Sequence, residues 1–405
     1  MTVIVGGGAA GFFAAINLAE AAPGESVILL EKTRNPLAKV RISGGGRCNT
    51  THACFDPREL STRYPRGGKA LIGPLTRFGP RETIAWFEAR GVRLKTESDG
   101  RMFPTTDSSQ TIIDCLLRSA EKAGVRILEF TGLDSAKRRA GGGFTLKLSN
   151  STTLECDHLV WAAGGCKAGP HPAAALGHTV VPPVPSLFTF HIESPWLRAL
   201  SGLSVPDAAA SIPGTPLKER GPILITHTGL SGPCILRLSA WGARTLHEKS
   251  YRFPLRIDWF PGQTPHQIQQ SLQALRETHG ARTLLRTAWN PLPARLWESL
   301  LAQAGIPADA RWSTLSREQS QSLARTLSGT EFEVSGKSMN KEEFVTSGGI
   351  PLPEVDLKTM QSRIAPGLYF AGEALDIDGI TGGYNFQAAW TTAWHVARSI
   401  ASTTR

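Results

Sequence analysis

An α/β fold built on a nucleotide-binding βαβ unit is what this chain predicts, and three stretches carry the prediction. The N-terminus runs from a β-branched strand, "TVIV" (2–5), through "GGGAAG" (6–11) into an alanine-rich helix and a second apolar strand, "SVILLE". Residues 43–49, "SGGGRCN", hold three consecutive glycines, which neither a helix nor a strand favours. The far end, "GLYFAGEALDIDGITGGYNFQAAW" (367–390), joins an apolar strand to a glycine-led terminal helix.

Taken in order, residues 6–11 contain G-x-G-x-x-G at Gly6, Gly8 and Gly11, and the helix "FFAAINLAEAA" ends near Pro23-Gly24. Gly6 permits the tight turn, Gly8 lets a pyrophosphate approach the backbone, and Gly11 lets the helix lie close to the strand. The free N–H groups at the helix start, Ala9 and Ala10 among them, face the phosphates. Glu31 closes the second strand twenty residues after Gly11, placed to accept hydrogen bonds from a ribose hydroxyl pair, with Lys32 beside it.

The motif alone does not separate FAD from NAD(P). The last strand does, because it ends in Gly372-Glu373 before the loop and the helix headed by Gly383, Tyr384, Asn385 and Phe386. A first-strand fingerprint with this ending suits flavoproteins in which the acid meets the ribityl chain and the final helix points its positive end at the flavin pyrimidine. In "SGGGRCN" the backbone of Ser43, Gly44, Gly45 and Gly46 is expected to pass along the flavin and pyrophosphate, with Arg47 lending charge to phosphate. Lys39, Cys48 and Asn49 are cofactor neighbours in the same reading. Ala162, Ala163, Gly164 and Gly165 end a strand with small residues that permit close approach to the pyrophosphate. Leu133, after the strand "GVRILEF", is an adenine neighbour.

Further stretches, "DGRMFP" (99–104), "ITHTGLSGP" (225–233), "TSGGI" (346–350) and "EVDLKTMQSR" (354–363), follow in the same chain. Together with the three above they resemble the bacterial NAD(P)/FAD-dependent oxidoreductases of the aminoacetone oxidase type, from residue 2 to about residue 395. The resemblance implies an FAD-binding Rossmann-like domain of the glutathione-reductase type, made of both chain ends. It also implies an inserted β-barrel substrate domain carrying a helical subdomain. Many members have threonine where Ala163 stands, which puts a side-chain contact there in doubt.

The residues give the borders independently. Pro-rich "VVPPVPS" (180–186) marks an exit from the first domain, residues 187–260 are strand-like, residues 264–328 turn helical, and "TEFEVSGK" returns to strand chemistry. The expected division is therefore 1–185 with 354–405 for FAD, 186–261 with 330–353 for the barrel, and 262–329 for the helical insertion.

Among catalytic candidates, His227 in "ITHTGLSGP" is either a general base for hydride transfer or a hydrogen-bonded loop histidine. Tyr384 and Asn385 are read as flavin or substrate neighbours. Arg101 and Phe103 either line the substrate side or shape a turn. Cys48 lacks a second cysteine at relay spacing, so it is expected to fill space beside the cofactor rather than to react.

Composition narrows the classes. No apolar stretch reaches the ~18–20 residues of a membrane span, and no signal peptide is read at the start. The six cysteines, Cys48, Cys54, Cys115, Cys156, Cys166 and Cys234, form no CxxC pair, so reduced thiols, a cytoplasmic setting and no metal are expected. No second G-x-G-x-x-G unit is present, so NAD(P)H would bind only transiently over the flavin. The net charge is +10, and residues 31–69 carry nine Lys/Arg against three acids. A solvated basic face with a few arginines serving a pyrophosphate explains this better than nucleic acid does, so the expected partner is a small-molecule substrate and not RNA. The expected activity is hydride exchange between flavin N5 and a small organic molecule, with NAD(P)H or O₂ as the other redox partner. An RNA-acting flavoprotein and an FAD-binding protein without turnover are the alternatives.

Overall fold

A computed structural model describes residues 1–165, 172–287, 292–338 and 345–403; Cys166 lies outside them. The chain divides into two compact units, Met1–Pro185 with Asn340–Arg405, and Ser186–Met339.

The first unit centres on a seven-stranded sheet. Its order is Val355–Asp356, Gln361–Ser362, Leu368–Phe370, His158–Trp161, Thr2–Val5, Val27–Leu30 and Arg126–Leu128. The last five strands of that order run parallel, with Thr2–Val5 in the middle. Thr2–Val5 and Val27–Leu30 are buried at every position, as strands covered on both faces must be. The helix Ala9–Ala21 is buried along most of its length, so its alanines and phenylalanines serve packing on several sides. The strands Leu133–Arg138, Phe144–Leu148 and Thr153–Cys156 form a separate antiparallel sheet ahead of His158–Trp161.

The second unit is a closed six-stranded barrel ordered Thr189–Ile192, Gly229–Ser231, Lys218–Thr226, Ser204–Ser211, Phe253–Asp258 and Thr330–Ser338. Alternation fills it: Phe253, Leu255 and Ile257 point in while Pro254 and Arg256 point out. The helices Pro265–His279, Ala294–Gln303 and Arg317–Gly329 share one continuous apolar core with the barrel, including the buried Trp259, Trp297 and Trp312.

One expected border changes, and the exit segment holds a strand. "VVPPVPS", read as an exit segment, contains the strand Val181–Ser186, and the strand Val345–Gly349 pairs with it instead of joining the barrel. Prolines are tolerated there because a two-stranded sheet is all edge. Residues 345–353 accordingly belong to the first unit. Among the described residues no helix is long and apolar enough to cross a membrane, and no cluster of ligating side chains could hold a metal ion.

Candidate functional site

The first unit gathers both chain ends at the C-terminal edge of its parallel strands, where a dinucleotide binds in this class of sheet. Gly6 has φ +110°, and a Cβ on it would lie 2.6 Å from the Ala162 carbonyl oxygen. A Cβ on Gly11 would lie 1.9 Å from the Gly6 oxygen, so only glycine lets the helix sit this close. Gly8, by contrast, has nothing within 4 Å of its Cβ position, which leaves its surface open to a ligand. No side chain caps the helix that Gly8 begins, so the N–H groups of Ala9, Ala10 and Gly11 remain available to phosphate.

Glu31 is already held in place. One of its oxygens accepts from Gly7 N (3.0 Å), and the other accepts from the N and Oγ1 of Thr33 (2.8 Å each). The backbone of Thr131 donates to the Glu31 carbonyl at 2.9 Å or less, which brings Leu133 and the end of its neighbouring strand to the same edge as Glu31 and Lys32.

Next to Gly6 the strand His158–Trp161 gives way to Ala162, Ala163, Gly164 and Gly165. Gly164 is left-handed (φ +72°), and its Cβ position lies 3.6 Å from Glu373 Oε2. Gly372 is left-handed too, with its Cβ position 2.9 Å from the Ala10 side chain. Both predicted acid sites, Glu31 and Glu373, therefore flank one glycine-lined cradle. Lys39 donates to Glu373 Oε2 at 2.8 Å, so two expected cofactor residues meet each other across the cradle.

"SGGGRCN" behaves differently from the expectation in two respects. Helical geometry ends before it: Ser43 is extended (ψ 145°), and Gly44, Gly45 and Gly46 are all left-handed, with φ +58°, +67° and +82°. Cβ positions on Gly45 and Gly46 meet nothing within 4 Å, so backbone geometry and an open face require glycine there, not crowding by protein. Arg47, expected to face phosphate, is turned toward carboxylates of this chain. It donates to Glu97 at 2.6 Å, reaches Asp107 at 3.5 Å and lies 4.0 Å above the Phe103 ring. Phe103 is the buried platform beneath Arg47. Arg101 joins the same network through Glu97 and Asp99.

The Cys48 side chain is enclosed by protein instead of open to a ligand. Its side chain is fully buried, in contact with Thr50, and burial pushes its thiol up to about 11. Asn49, with its amide oriented to satisfy both neighbours, donates to Thr51 O (3.1 Å) and accepts from Gly383 N (3.0 Å). It therefore ties this loop to the head of the terminal helix.

That helix, Tyr384–Thr403, starts where the glycines predicted. Gly383 (φ +90°) brings its Cβ position to 2.5 Å from Thr51 O, so the approach is available only to glycine. Tyr384 is buried, stacked on His52 at 4.8 Å between centroids, and burial pushes its hydroxyl up to about 12. Asn385 spends both ends of its amide on Gly379, accepting at 2.7 Å and donating at 3.0 Å, and so fixes the loop before the helix. Phe386 stacks on Trp390 at 5.6 Å.

His227 is exposed at the tip of the hairpin between Lys218–Thr226 and Gly229–Ser231 in the second unit.

Several structural residues had no signal in their immediate sequence. Gln387 is fully buried and accepts from Thr51 Oγ1 (2.6 Å) and Thr83 Oγ1 (3.0 Å), joining three distant segments. Asp378, also fully buried, takes a bidentate pair from Arg66. Such partners lie more than 300 residues away in the chain, so spacing could not reveal them.

The glycine cradle, the uncapped helix and the two flanking carboxylates fit FAD. Comparison with known proteins agrees on the fold. Residues 1–399 match the family model described as HI0933-like protein Rossmann domain. The ribosomal RNA dihydrouridine synthase of Escherichia coli (strain K12) is 32% identical over 417 residues, covering 98% of this chain and 97% of that protein. The protein of the same name from Haemophilus influenzae is 29% identical, and the 3-dehydro-bile acid delta(4,6)-reductase of Clostridium scindens is 27% identical, each covering 98% of both chains. Among solved structures, 3-ketosteroid-delta4-(5alpha)-dehydrogenase from Rhodococcus jostii RHA1 has a TM-score of 0.50 at 15% identity, covering 99% of this chain and 96% of that one, a likeness of fold alone. Family and fold support FAD as the cofactor and flavin redox chemistry as the activity. The chain belongs to the HI0933-like family of Rossmann-domain proteins.

Proposed function

We propose that this protein is an FAD-dependent reductase that saturates the C5=C6 bond of uridine in ribosomal RNA, drawing electrons from NAD(P)H. The observation that carries the reading is end-to-end similarity, at 32% identity, to a relative named for making dihydrouridine in ribosomal RNA. The three relatives also share a type of chemistry, because each name implies reduction of a carbon–carbon double bond conjugated to a carbonyl. In uridine the C4 carbonyl polarises C5=C6, so hydride goes to C6 and a proton to C5. This revises the expectation of a small-molecule substrate.

FAD, when bound and reduced, supplies the hydride. The chain's own residues do the rest. Glu31 holds the adenosine ribose and the Ala9–Gly11 amides hold the pyrophosphate. Glu373 meets the ribityl chain, in an FAD domain of the glutathione-reductase kind. The proton for C5 needs a donor, and the Tyr384 hydroxyl at the head of the terminal helix, protonated at neutral pH, is the candidate. Four of the nine cations in residues 31–69, Lys39, Arg47, Arg63 and Arg66, are paired with carboxylates. Lys32, Arg34, Arg58 and Lys69 are exposed with no ion pair among the described residues, and these serve RNA phosphate.

A second reading is reduction of a small conjugated ketone, favoured by the bile-acid reductase relative. The test is anaerobic incubation of the holoprotein with NADPH and ribosomal RNA from cells lacking the gene, followed by nucleoside mass spectrometry. The expected result is a uridine gaining two mass units, about 2 Da, with flavin bleaching that nucleotide alone initiates. Flavin bleached by NADPH, RNA unchanged and a steroid enone consumed would establish the second reading. Bleaching by an amine without nucleotide would favour an oxidase of the aminoacetone kind.

A further inference from the structure

An exposed aromatic ring with a guanidinium laid over it stands on the first unit, away from the glycine cradle. Phe55 is 39% exposed even though the Arg81 guanidinium lies 4.3 Å from its ring centroid. An apolar ring gains nothing from water, whereas ring and guanidinium together present a flat surface on which an unpaired base stacks. The charge around this pair complements a phosphate backbone. Residues 54–82 hold six Lys/Arg and three acids, and all three acids are spent within the segment. Asp56 accepts from Arg58 N and Glu59 N (2.8 Å each), Glu82 accepts from Gly79 N (2.8 Å), and Glu59 pairs with Arg63. Arg66 is taken by Asp378. Arg58, Lys69, Arg77 and Arg81 are left, exposed and with no ion pair among the described residues. The same segment packs on the head of the terminal helix. Tyr64 Oη donates to Tyr384 O at 2.7 Å, Ile380 N donates to Arg63 O at 3.0 Å, and His52 stacks on Tyr384. Phe55 follows His52 by three residues, so their backbones are at most about 11 Å apart.

We propose that Phe55 and Arg81 form a platform for an unpaired base of the RNA substrate, next to the uridine that is reduced. The inference rests on the RNA reading of the function and adds to it where the strand lies. Hydride reaches C6 from the face of the uracil ring, so the uridine must leave its stack, and the base beside it loses a partner. Phe55 supplies the replacement face, the planar guanidinium widens it, and Arg58, Lys69 and Arg77 meet the phosphates. A base-paired helix keeps its base faces stacked inside, so the platform selects single-stranded RNA over duplex. A small conjugated ketone would carry no phosphates for these cations.

The test measures binding of fluorescein-labelled oligouridylate, and of an RNA duplex of equal charge, to the holoprotein and its variants over a range of salt concentrations. Phe55→Ala weakens the single strand about 5- to 100-fold and leaves the duplex unchanged. It also leaves the slope of log K against log salt unchanged, because a base contact is lost and no phosphate contact is. Phe55→Trp keeps the affinity, and Arg81→Lys, which keeps the charge without the plane, falls between. Should Phe55→Ala fail to fold, Phe55→Leu makes the same comparison with apolar volume kept and the aromatic face removed. Wild-type affinity for the single strand in Phe55→Ala would overturn the proposal, leaving the pair as a contact internal to the protein surface. Equal loss on single strand and duplex would also overturn it, since no unpaired base is then involved. Wild-type protein that leaves ribosomal RNA unreduced refutes the functional reading and this inference with it. RNA bound and reduced equally by wild type and Phe55→Ala refutes the platform alone.

Discussion

Glu31 shows how much a single side chain can organise. It accepts from one backbone amide of the glycine turn and from both donors of Thr33, so its position is set before any ribose arrives. Glu31→Ala removes both the ribose acceptor and the partner of Gly7, and FAD affinity measured by fluorescence titration falls about 10- to 100-fold. The cysteines act in the opposite sense, through what they do not do. Burial pushes Cys48 up to about 11 and Cys156 and Cys234 up to about 12, so all three stay protonated in the native chain at neutral pH. In the unfolded chain they ionise near about 8.5. Their folded values are raised, so this contribution to stability is fully present below about pH 8.5 and is lost as pH rises toward 11–12. The urea midpoint is expected to be flat in this respect from pH 6 to 8 and to fall above pH 9, with Cys48 unlabelled by iodoacetamide at pH 8. Labelling of native Cys48 at pH 8 would contradict the burial argument.

At the scale of elements, the loop of residues 376–383 and the helix it feeds are held by contacts made far along the chain. Asn385 clips Gly379, Asn49 reaches Gly383, and Arg66 grips the buried Asp378 from the other side. Removing one partner of a buried ion pair strands the other charge, so Arg66→Ala lowers the unfolding free energy by about 3–5 kcal/mol in a urea titration. Faster hydrogen exchange confined to this loop accompanies the loss, since the helix beyond it packs independently through Gln387, Trp390 and His395. Arg66→Lys recovers only part of the stability because an ammonium cannot make the bidentate pair.

At the scale of the molecule, a +10 charge becomes an argument only after paired cations are set aside. Replacing Lys32, Arg34, Arg58 and Lys69 by glutamine is expected to weaken RNA binding across sequences. It would also reduce the slope of log K against log salt by about 3, at roughly 0.7 per single-strand phosphate contact. FAD content should not change on replacing Arg34, Arg58 and Lys69, because none of these three lies on the Gly6–Gly11 turn or beside Glu31. An unchanged salt slope would show that this face does not meet RNA. The two units also differ in origin: one is closed by strands from both ends of the chain, while the other is a contiguous insertion whose barrel and helices share a core.

The sequence by itself determined the βαβ unit at residues 2–31, the terminal helix from Tyr384, the entry into the second unit at Ser186 and the helices Pro265–His279, Ala294–Gln303 and Arg317–Gly329. Each is a local matter of turn chemistry, periodicity and spacing, which a single stretch of chain expresses. Tertiary structure alone decided the partners. It turned Arg47 toward Glu97 and Asp107, sank Cys48, spent Asn385 on Gly379 and moved Val345–Gly349 out of the barrel. The reason is that charge pairing, burial and hydrogen-bond satisfaction depend on which distant segments arrive at the same place, and no local pattern encodes that arrival.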